Sequence, residues 1–414
     1  MKSAATTLPP RHEFAVVAVM ALGFGLVGFD RFLISTLFPV IRADLHLSYG
    51  DIGTITGALA LAWGFAALLM GNASDRIGRR TVLVGSLVMF ALLIGASGLA
   101  VGLVSLVSVR IVMGLADGAY TPASITATLE SSNPKRYGLN IGIQQMMLPL
   151  CGLGIAPLLV NALLHVINWR LIFSVFTLPG LILAYVVWRV IPKKDVLPEP
   201  LPQELAAHIP SRHPFADWRH AVTYRNVRVA MGMMLCWLTC LVTTSALLPN
   251  YLIDYLHLSF SAMSSVMTAI GIGSAVGTVT LPWLSDRLGR KPVMLISTVG
   301  VGLSLLMLAR TGANPTLLFA WLFCVHFFNN ALITLTVGPV CTEAVPVTLM
   351  ATASGMVIAV GELFGGGIAP IIGGQVAEHF GIDHILWLPI AAMVLAVGIC
   401  SLLEDSREGR KHLF

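Results

Sequence analysis

Residues 74–80 read SDRIGRR, and residues 285–291 read SDRLGRK. Each stretch lies between two long apolar segments and forms a short charged connection between them. The two copies are 211 positions apart, which is about half of the 414-residue chain. Internal similarity over such a distance predicts that the chain consists of two halves built on the same plan.

Two further landmarks repeat in the same order. The sequence LHLS at 45–48 recurs at 256–259, again 211 positions later. Pro134 and Pro346 each follow an apolar segment, and they are 212 positions apart. Three landmarks at nearly one separation favour a duplication over a chance match.

A linker separates the two halves, because the apolar pattern is interrupted by a stretch rich in proline and charge. The sequence therefore predicts an N-terminal bundle over residues 1–191, a cytoplasmic linker over 192–225 and a C-terminal bundle over 226–414.

The composition indicates that lipid is the main solvent of this protein. Hydrophobic residues make up 56% of the chain and charged residues only 11%, with a mean hydropathy of +0.85, whereas soluble domains carry about 25% charged residues. A membrane-spanning helix needs about 20 apolar residues. Suitable segments lie at 14–39, 51–70, 81–100, 103–127, 139–163, 169–191, 228–252, 261–284, 292–310, 316–339, 348–373 and 383–403. We predict an all-α membrane protein with twelve transmembrane helices in two pseudo-symmetric six-helix bundles.

The basic residues predict the orientation in the membrane. Both chain ends and the loops after segments 2, 4, 6 and 8 are rich in Lys and Arg, whereas the opposite loops hold only Arg42, Arg170 and Arg310. Since cytoplasmic loops are enriched in these residues, we expect both termini in the cytoplasm. We expect a multi-pass protein of a bacterial inner membrane, in contact with the lipid bilayer and with no nucleic-acid partner.

Four charged residues lie inside apolar segments of the first half. Asp30 and Arg31 are adjacent in the first segment, and Arg110 and Asp117 are seven residues apart in the fourth. A charge near the membrane centre costs about 2.5–3.5 kcal/mol on insertion scales, so such residues usually pair, face water or bind a charged ligand. The spacing of seven places Arg110 and Asp117 on one helix face, with Asp117 nearer the membrane centre.

These four charges have two interpretations. One is an intramembrane ion pair. The other is a site that couples a proton to an anion, because two acids and two arginines neutralise each other and protonation of one acid leaves net positive charge. The planar fork of arginine suits a carboxylate. The second interpretation accounts for all four charges.

The second half has leucine at position 241, one repeat after Asp30, and therefore no counterpart of that acid. Its polar candidates are His326, Asn329, Asn330 and Glu362. Glu362 is interpreted as a third proton site, a hydrogen-bond partner for hydroxyl groups, a counter-ion to a cationic group, or a protonated carboxyl bonded to a neighbouring helix. The adjacent asparagines point about 100° apart on a helix, so at most one is expected to face a cavity. His326 is expected to be a satisfied core residue.

The fifth segment contains Gln144 and Gln145, one of which is expected to face the central cavity and donate a hydrogen bond to a ligand. The six cysteines lie in or beside apolar segments and are interpreted as buried small side chains, so no metal site is predicted. The stretch GELFGGG at 361–367 lacks the lysine of a phosphate-binding loop, and ATP hydrolysis or another enzyme activity is not expected.

The sequence GNASDRIGRR at 71–80 resembles the signature loop between helices 2 and 3 of the major facilitator superfamily. The second copy, at 286–291, is similar to the degenerate repeat of that loop, with Pro282 in place of its leading glycine. The resemblance covers essentially the whole chain and implies rocker-switch alternating access by two six-helix bundles. It also implies a conformational role for the loop residues Gly71, Asp75, Arg76, Gly78, Arg79, Asp286, Arg287 and Arg290.

Asp30-Arg31, together with Arg110, Gly114 and Asp117, resembles the anion:cation symporters of that superfamily, especially the sugar-acid:proton symporters. The resemblance implies proton coupling through Asp30 and Asp117 and contact with the anion through Arg31. Asp117 stands where that group commonly has glutamate. Spinster-type lipid transporters share a similar acid–arginine pair and a helix 4 acid.

These observations predict a secondary transporter for proton-coupled uptake of a small organic anion, such as a sugar acid, a monocarboxylate or an aromatic acid. Protons are the coupling ion, no cofactor is expected, and the protein is expected to function as a monomer. The predicted proton-coupling residues are Asp30, Asp117 and Glu362. The predicted substrate-binding residues are Arg31, Arg110, Gln144, Gln145, Asn329, Asn330 and Glu362.

A proton-driven antiporter or exporter of drugs or lipids is the alternative, with the same acids used for competing instead of coupled binding. A nontransporting receptor on the same fold is a third hypothesis, for which the linker offers no output domain. By position, Glu362 resembles a residue that is a neutral, substrate-binding amide in sugar-acid symporters. That departure bears directly on the substrate.

Overall fold

A computed structural model describes residues 10–133, 136–191, 214–346 and 349–404. Residues 192–213, most of the predicted linker, lie outside these ranges, so the two domain boundaries stay a prediction. The side chains of residues 68–77 also lie outside the described structure, and with them the predicted switch residues Gly71, Asp75 and Arg76.

Within the described ranges the regular structure is helical, and twelve long helices follow one another along the chain. The first six are α1 (Pro10–Leu45), α2 (Tyr49–Ile77), α3 (Arg79–Ser97), α4 (Leu103–Ser131), α5 (Tyr137–Pro149, continued by Leu150–Ile155 and Ala156–Leu164) and α6 (Trp169–Val190). After a short helix at Pro214–Ala221, the second six are α7 (Arg225–Asn250, continued by Tyr251–Tyr255), α8 (Phe260–Leu288), α9 (Arg290–Arg310), α10 (Pro315–Leu335, continued by Thr336–Val340), α11 (Met350–Val360, continued by Gly361–Ile368 and Ala369–Phe380) and α12 (Trp387–Ser401).

The helices confirm the predicted all-α membrane fold. Eleven of them are long and apolar enough to cross a membrane when the described residues are considered, and α2, whose side chains are described only in part, completes the set. Several helices extend beyond the predicted apolar segments, whereas α12 is shorter than its segment. With 36 residues, α1 is about 54 Å long, whereas the hydrocarbon core measures about 30 Å. Its ends therefore reach into the aqueous layers on both sides.

The duplication is visible in the backbone as well as in the sequence. His46 and His257 both have positive φ angles, 52° and 53°, in the turns that follow α1 and α7. Gly78 and Gly289 have φ angles of 98° and 103° in the loops that precede α3 and α9. L-residues with side chains rarely adopt such angles, and glycine adopts them without steric cost. Two unusual conformations recurring at one separation show that the halves share a backbone plan.

The two sides of the membrane protein differ in charge. The basic face is the side on which α3, α7 and α9 begin with Arg79, Arg225 and Arg290. The opposite face is the side on which α1 ends and α8 begins. On the basic face, Arg79 pairs with Glu130 at the end of α4, and Arg290 pairs with Glu343 after α10 at 3.0 Å. The repeated loop thus holds the same pair of helices together in each half.

The remaining loop residues of the second half are also held locally. Asp286 pairs with Arg290 one helical turn later. The Arg287 guanidinium lies 4.1 Å from the centre of the Trp283 ring, over its face. The conformational role of Gly78, Arg79 and these residues stays a prediction.

The two halves close against each other at the opposite face. A Cβ atom on Gly53 of α2 would lie 2.2 Å from the carbonyl oxygen of Pro370 on α11, and a Cβ atom on Gly271 of α8 would lie 2.2 Å from the backbone nitrogen of Gly154 on α5. Only glycine permits helices to approach so closely. At these two places the backbones of the two halves touch and leave no room for a side chain between them.

Candidate functional site

A buried cluster of five charged side chains lies where the two halves meet. It contains Asp30, Arg31, Arg110, Asp117 and Glu362. Each of these side chains belongs to a residue that is at most 9% exposed. The structure therefore brings together the four charges predicted from the first half and the acid predicted from the second.

Asp30 and Arg110 connect α1 to α4. The Nη1 atom of Arg110 donates a hydrogen bond of 2.6 Å to the backbone oxygen of Asp30 and lies 3.6 Å from its carboxylate oxygen Oδ1. The carboxyl group of Asp117, also on α4, faces that of Asp30. Apart from each other, the two carboxyl groups have no hydrogen-bond partner among the described residues. Two facing carboxyl groups without other donors form a place where a proton can bind.

Arg31 and Glu362 connect the two halves. The guanidinium donates two hydrogen bonds to the carboxylate, from Nη1 to Oε1 at 3.2 Å and from Nη2 to Oε2 at 2.8 Å. Its Cζ atom lies 4.5 Å from the centre of the Trp63 ring on α2. Glu362 belongs to the wider π-helical turn of α11, and a Cβ atom on Gly366 would lie only 2.6 Å from its Oε2. Of the interpretations given to Glu362, a counter-ion to a cationic group matches this geometry, and the cation is Arg31.

A small cavity lies between the two arginines and the opposite face. Arg31 and Arg110 line it together with the hydroxyl groups of Ser35, Thr56 and Ser245, which come from α1, α2 and α7. Its free space admits about one water molecule. The surface of the cavity is mostly apolar and contains groups from both halves, and in this conformation it is too small for an organic acid.

The glutamines of α5 differ in their surroundings. Gln144 is fully buried, accepts a hydrogen bond of 2.7 Å from Thr128 and donates one of 2.9 Å to Ser124. Both partners belong to α4, so this side chain holds α5 against α4. Gln145 is half-buried. The predicted role of either glutamine in substrate binding stays a prediction.

The polar residues of α10 make hydrogen bonds within the second half. Asn329 donates to the backbone oxygen of Trp237 on α7 at 3.1 Å, and Asn330 donates to the Ser274 hydroxyl on α8 at 2.6 Å. The buried ring of His326 lies 3.2 Å from the hydroxyl of Thr244 on α7. These contacts fasten α10 to its neighbours. The predicted contact of Asn329 or Asn330 with substrate stays a prediction.

The hydroxyl-bearing residues that line the small cavity were not predicted from the sequence. Ser35, Thr56 and Ser245 are common residues in apolar helices, and neither charge nor repetition distinguishes them. Glu13, only 8% exposed, accepts a hydrogen bond of 2.9 Å from Asn140. It lies near the start of α1, away from the charged cluster, and joins α1 to α5.

The comparisons with known proteins show the family and the fold of this chain. The family model described as Major Facilitator Superfamily matches residues 20–254 and 242–413. The hexuronate transporter of Bacillus subtilis is 27% identical over 69% of this chain and 68% of its own length, and the sialic acid transporter NanX of Escherichia coli is 25% identical over 91% of each chain. The crystal structure of a bacterial homologue of the human lysosomal transporter Spinster, inward-facing and unoccupied, superposes with a TM-score of 0.77 at 16% identity, over 97% of this chain and 98% of the other.

Proposed function

Because this chain belongs to the major facilitator superfamily, and is thus a transporter and not an enzyme, we propose that it imports a small organic anion together with protons. The observation that carries this proposal is the buried cluster at the junction of the halves. It combines arginines that suit an anion with acids that suit a proton, at the place where a change of access would expose them alternately to the two sides.

The charge of the cluster supports coupling. Asp30, Asp117 and Glu362 against Arg31 and Arg110 leave one negative charge in excess when all are ionised. A net charge buried in the membrane is costly, so the empty site favours one bound proton. The facing carboxyl groups of Asp30 and Asp117 are the place we assign to it. An added monoanion then favours a second proton, and proton and anion promote each other's binding, as symport requires.

The chemistry of Arg31 and the names of the relatives support a carboxylate as the anion. A guanidinium fork makes two parallel hydrogen bonds to a carboxylate. The relatives transport a hexuronate and a sialic acid according to their names, and both compounds are sugar acids with one carboxylate. We therefore propose sugar acids as the first class of substrate to be examined.

Proton coupling also supplies the driving force that uptake needs. A membrane potential opposes the inflow of a bare anion by about 2.3 kcal/mol per charge per 100 mV. One proton per monoanion removes this opposition, and a second proton reverses its sign.

The orientation completes the proposal. We place the protein in a bacterial inner membrane with the basic face in the cytoplasm, because Lys and Arg accumulate on the cytoplasmic side of membrane proteins. The conformation described here, closed at the opposite face, is then closed to the exterior.

Proton movement in proteoliposomes tests the proposal. A thermal-shift screen of organic acids selects the compounds, beginning with D-galacturonate and N-acetylneuraminate. We expect their addition to alkalinise the external medium of proteoliposomes that contain the protein, but not of empty liposomes. A protonophore is expected to abolish accumulation. Acidification would favour the antiporter, and movement of the acid without protons would contradict coupling.

A further inference from the structure

We propose that Glu362 is an internal substitute for the carboxylate of the substrate. It occupies Arg31 in the empty transporter, gives up this place when a substrate carboxylate arrives, and takes a proton as it leaves. The inference rests on the proposed function and deepens it. It identifies the substrate group that Arg31 binds, and it explains how the empty transporter changes from one access state to the other.

The geometry of the pair is that of a bound substrate. Glu362 presents a planar carboxylate to the two terminal nitrogens of Arg31, at 2.8 and 3.2 Å, and a carboxylate ligand would use the same two donors. Trp63 covers one face of the guanidinium and can hold it in place while the partner at its edge changes. A substrate carboxylate can therefore bind in this geometry only after Glu362 has moved away.

The surroundings of Glu362 favour a neutral group once the pair has opened. Arg31 of α1 is the charged group that faces it among the described residues, with Arg110, Asp30 and Asp117 of α4 and α1 behind that guanidinium. The neighbouring parts of α2 and α7 present Ala60, Leu61, Met234 and Leu238. A carboxylate left there without Arg31 would be a buried, unpaired charge, which is strongly unfavourable. A proton that forms an O–H bond on Glu362 removes this charge.

The pair also bears on the return of the empty transporter. Arg31 belongs to the first half and Glu362 to the second, so the pair spans the junction that must rearrange in each cycle. With Glu362 present, the empty protein reorients while Arg31 is neutralised. With a neutral residue at position 362, Arg31 lacks its anion until substrate binds, and only the loaded protein reorients readily.

The first test separates net uptake from exchange in Glu362→Gln. Both are measured in proteoliposomes with radiolabelled D-galacturonate and N-acetylneuraminate, net uptake with a proton gradient and exchange with the unlabelled acid inside. We expect net uptake to fall about tenfold or more and exchange to stay within about twofold of wild type. Asp383→Asn, which removes an exposed acid paired with His384 at the opposite face, is the control and is expected to leave both rates unchanged.

Binding measurements provide the second test. In wild type, ionised Glu362 competes with the acid for Arg31, so the Kd rises as pH rises, by up to about tenfold per pH unit for one proton. In Glu362→Gln this competition is absent. We expect a smaller Kd and a dependence on pH that is weaker by one proton. Tighter binding also demonstrates that the variant is folded.

Three results are distinguishable. If wild type accumulates an acid and Glu362→Gln loses uptake and exchange equally, or loses neither, the inference is overturned and the proposed function stands. An unchanged pH dependence of the Kd in Glu362→Gln overturns it as well. If wild type neither accumulates nor exchanges any acid, the proposed function fails and the inference fails with it.

Discussion

The two halves of this transporter share a backbone and differ in their buried charges. Asp30 and Arg31 of α1 correspond by the repeat to leucine and valine of α7, and the two charges of α4 correspond to tryptophan and phenylalanine of α10. Conversely, Glu362 corresponds to Cys151 of α5. The repeated positions contain the turns and loops that shape the fold, whereas the charged cluster consists of positions that do not repeat. The difference indicates that the scaffold is constrained by symmetry and the chemistry is not.

The strongest test of this comparison is Asp30→Asn. It removes an acid of the charged half while keeping the size and shape of the side chain and one of its acceptor oxygens. We expect proton-driven accumulation to be lost, because the cluster can no longer bind its proton at this place, whereas exchange is retained. Uptake and exchange in proteoliposomes measure both activities.

Asp44→Asn is the matched control for this variant. Asp44 lies near the end of the same helix, where it pairs with Arg170 at 3.0 Å and is half exposed. It is expected to leave accumulation unchanged. Accumulation at the wild-type level in Asp30→Asn would show that Asp30 is not the coupling acid.

The next largest effect is expected from Arg31→Lys. Lysine keeps the positive charge but loses the planar fork. In the Glu362→Gln background, where no carboxylate of the protein competes for this side chain, a substrate carboxylate would therefore lose one of two hydrogen bonds. We expect the Kd of the transported acid to rise about tenfold to a hundredfold. Arg310 is an exposed arginine at the end of α9. Arg310→Lys is the control for replacing an arginine by a lysine and is expected to leave the Kd unchanged. An unchanged Kd would remove Arg31 from the substrate site.

Gly53→Val tests whether the contact between α2 and α11 limits access from the opposite face to the same extent as the contact between α8 and α5. The side chain would collide with the backbone of Pro370 and hold α2 away from α11. We expect Ser35→Cys, buried in the small cavity, to react about tenfold faster in this background with a thiol reagent that cannot cross the membrane. Gly271→Val, at the corresponding junction of α8 and α5, is expected to act in the same way.

Gly85→Val provides the matched control for this measurement, because a Cβ atom at Gly85 has no neighbour within 4 Å. The native cysteines of the described structure add little background, since five of the six are buried. Slow labelling in both Gly53→Val and Gly271→Val would show that these contacts do not control access.

The smallest effect is expected from Arg42→Lys. Arg42 of α1 and Asp254 of α7 pair at 3.0 Å across the halves, but their side chains are 29% and 23% exposed. A pair that water reaches contributes about 0–1 kcal/mol, so thermal unfolding in detergent should shift only slightly. If Arg42→Lys lowers the unfolding temperature as much as Arg31→Lys does in the same measurement, the exposed pair holds the halves together as strongly as the buried pair.

The sequence predicts the fold well because membrane helices and duplication leave strong signals. Twenty-residue apolar segments indicate each helix, and the copies of SDRIGRR indicate the repeat. The helix ends are predicted less well, since α1 continues to Pro10 and Leu45 beyond its apolar part. The wider turns within α5 and α11 are also missed, because hydrophobic periodicity does not report a local change in the hydrogen-bond pattern.

The site is predicted in part for similar reasons. Helical spacing places Arg110 and Asp117 together, and the cost of burying charge indicates that Asp30 belongs with them. The bond from Arg31 to Glu362 is not predictable from spacing, because it depends on how two bundles are placed against each other. Hydroxyl groups such as that of Ser35 carry no signal, since a serine in a membrane helix usually bonds to its own backbone.

The pair between Arg42 and Asp254 has a consequence for the origin of the molecule. These residues are 212 positions apart, one position from the repeat distance, so the pair lies close to the pseudo-two-fold axis. In a symmetric homodimer of separate six-helix chains, a position on the axis meets its own copy, and two like charges would repel each other. Within one chain the two halves differ in sequence, so an arginine of α1 can face an aspartate of α7 beside the axis.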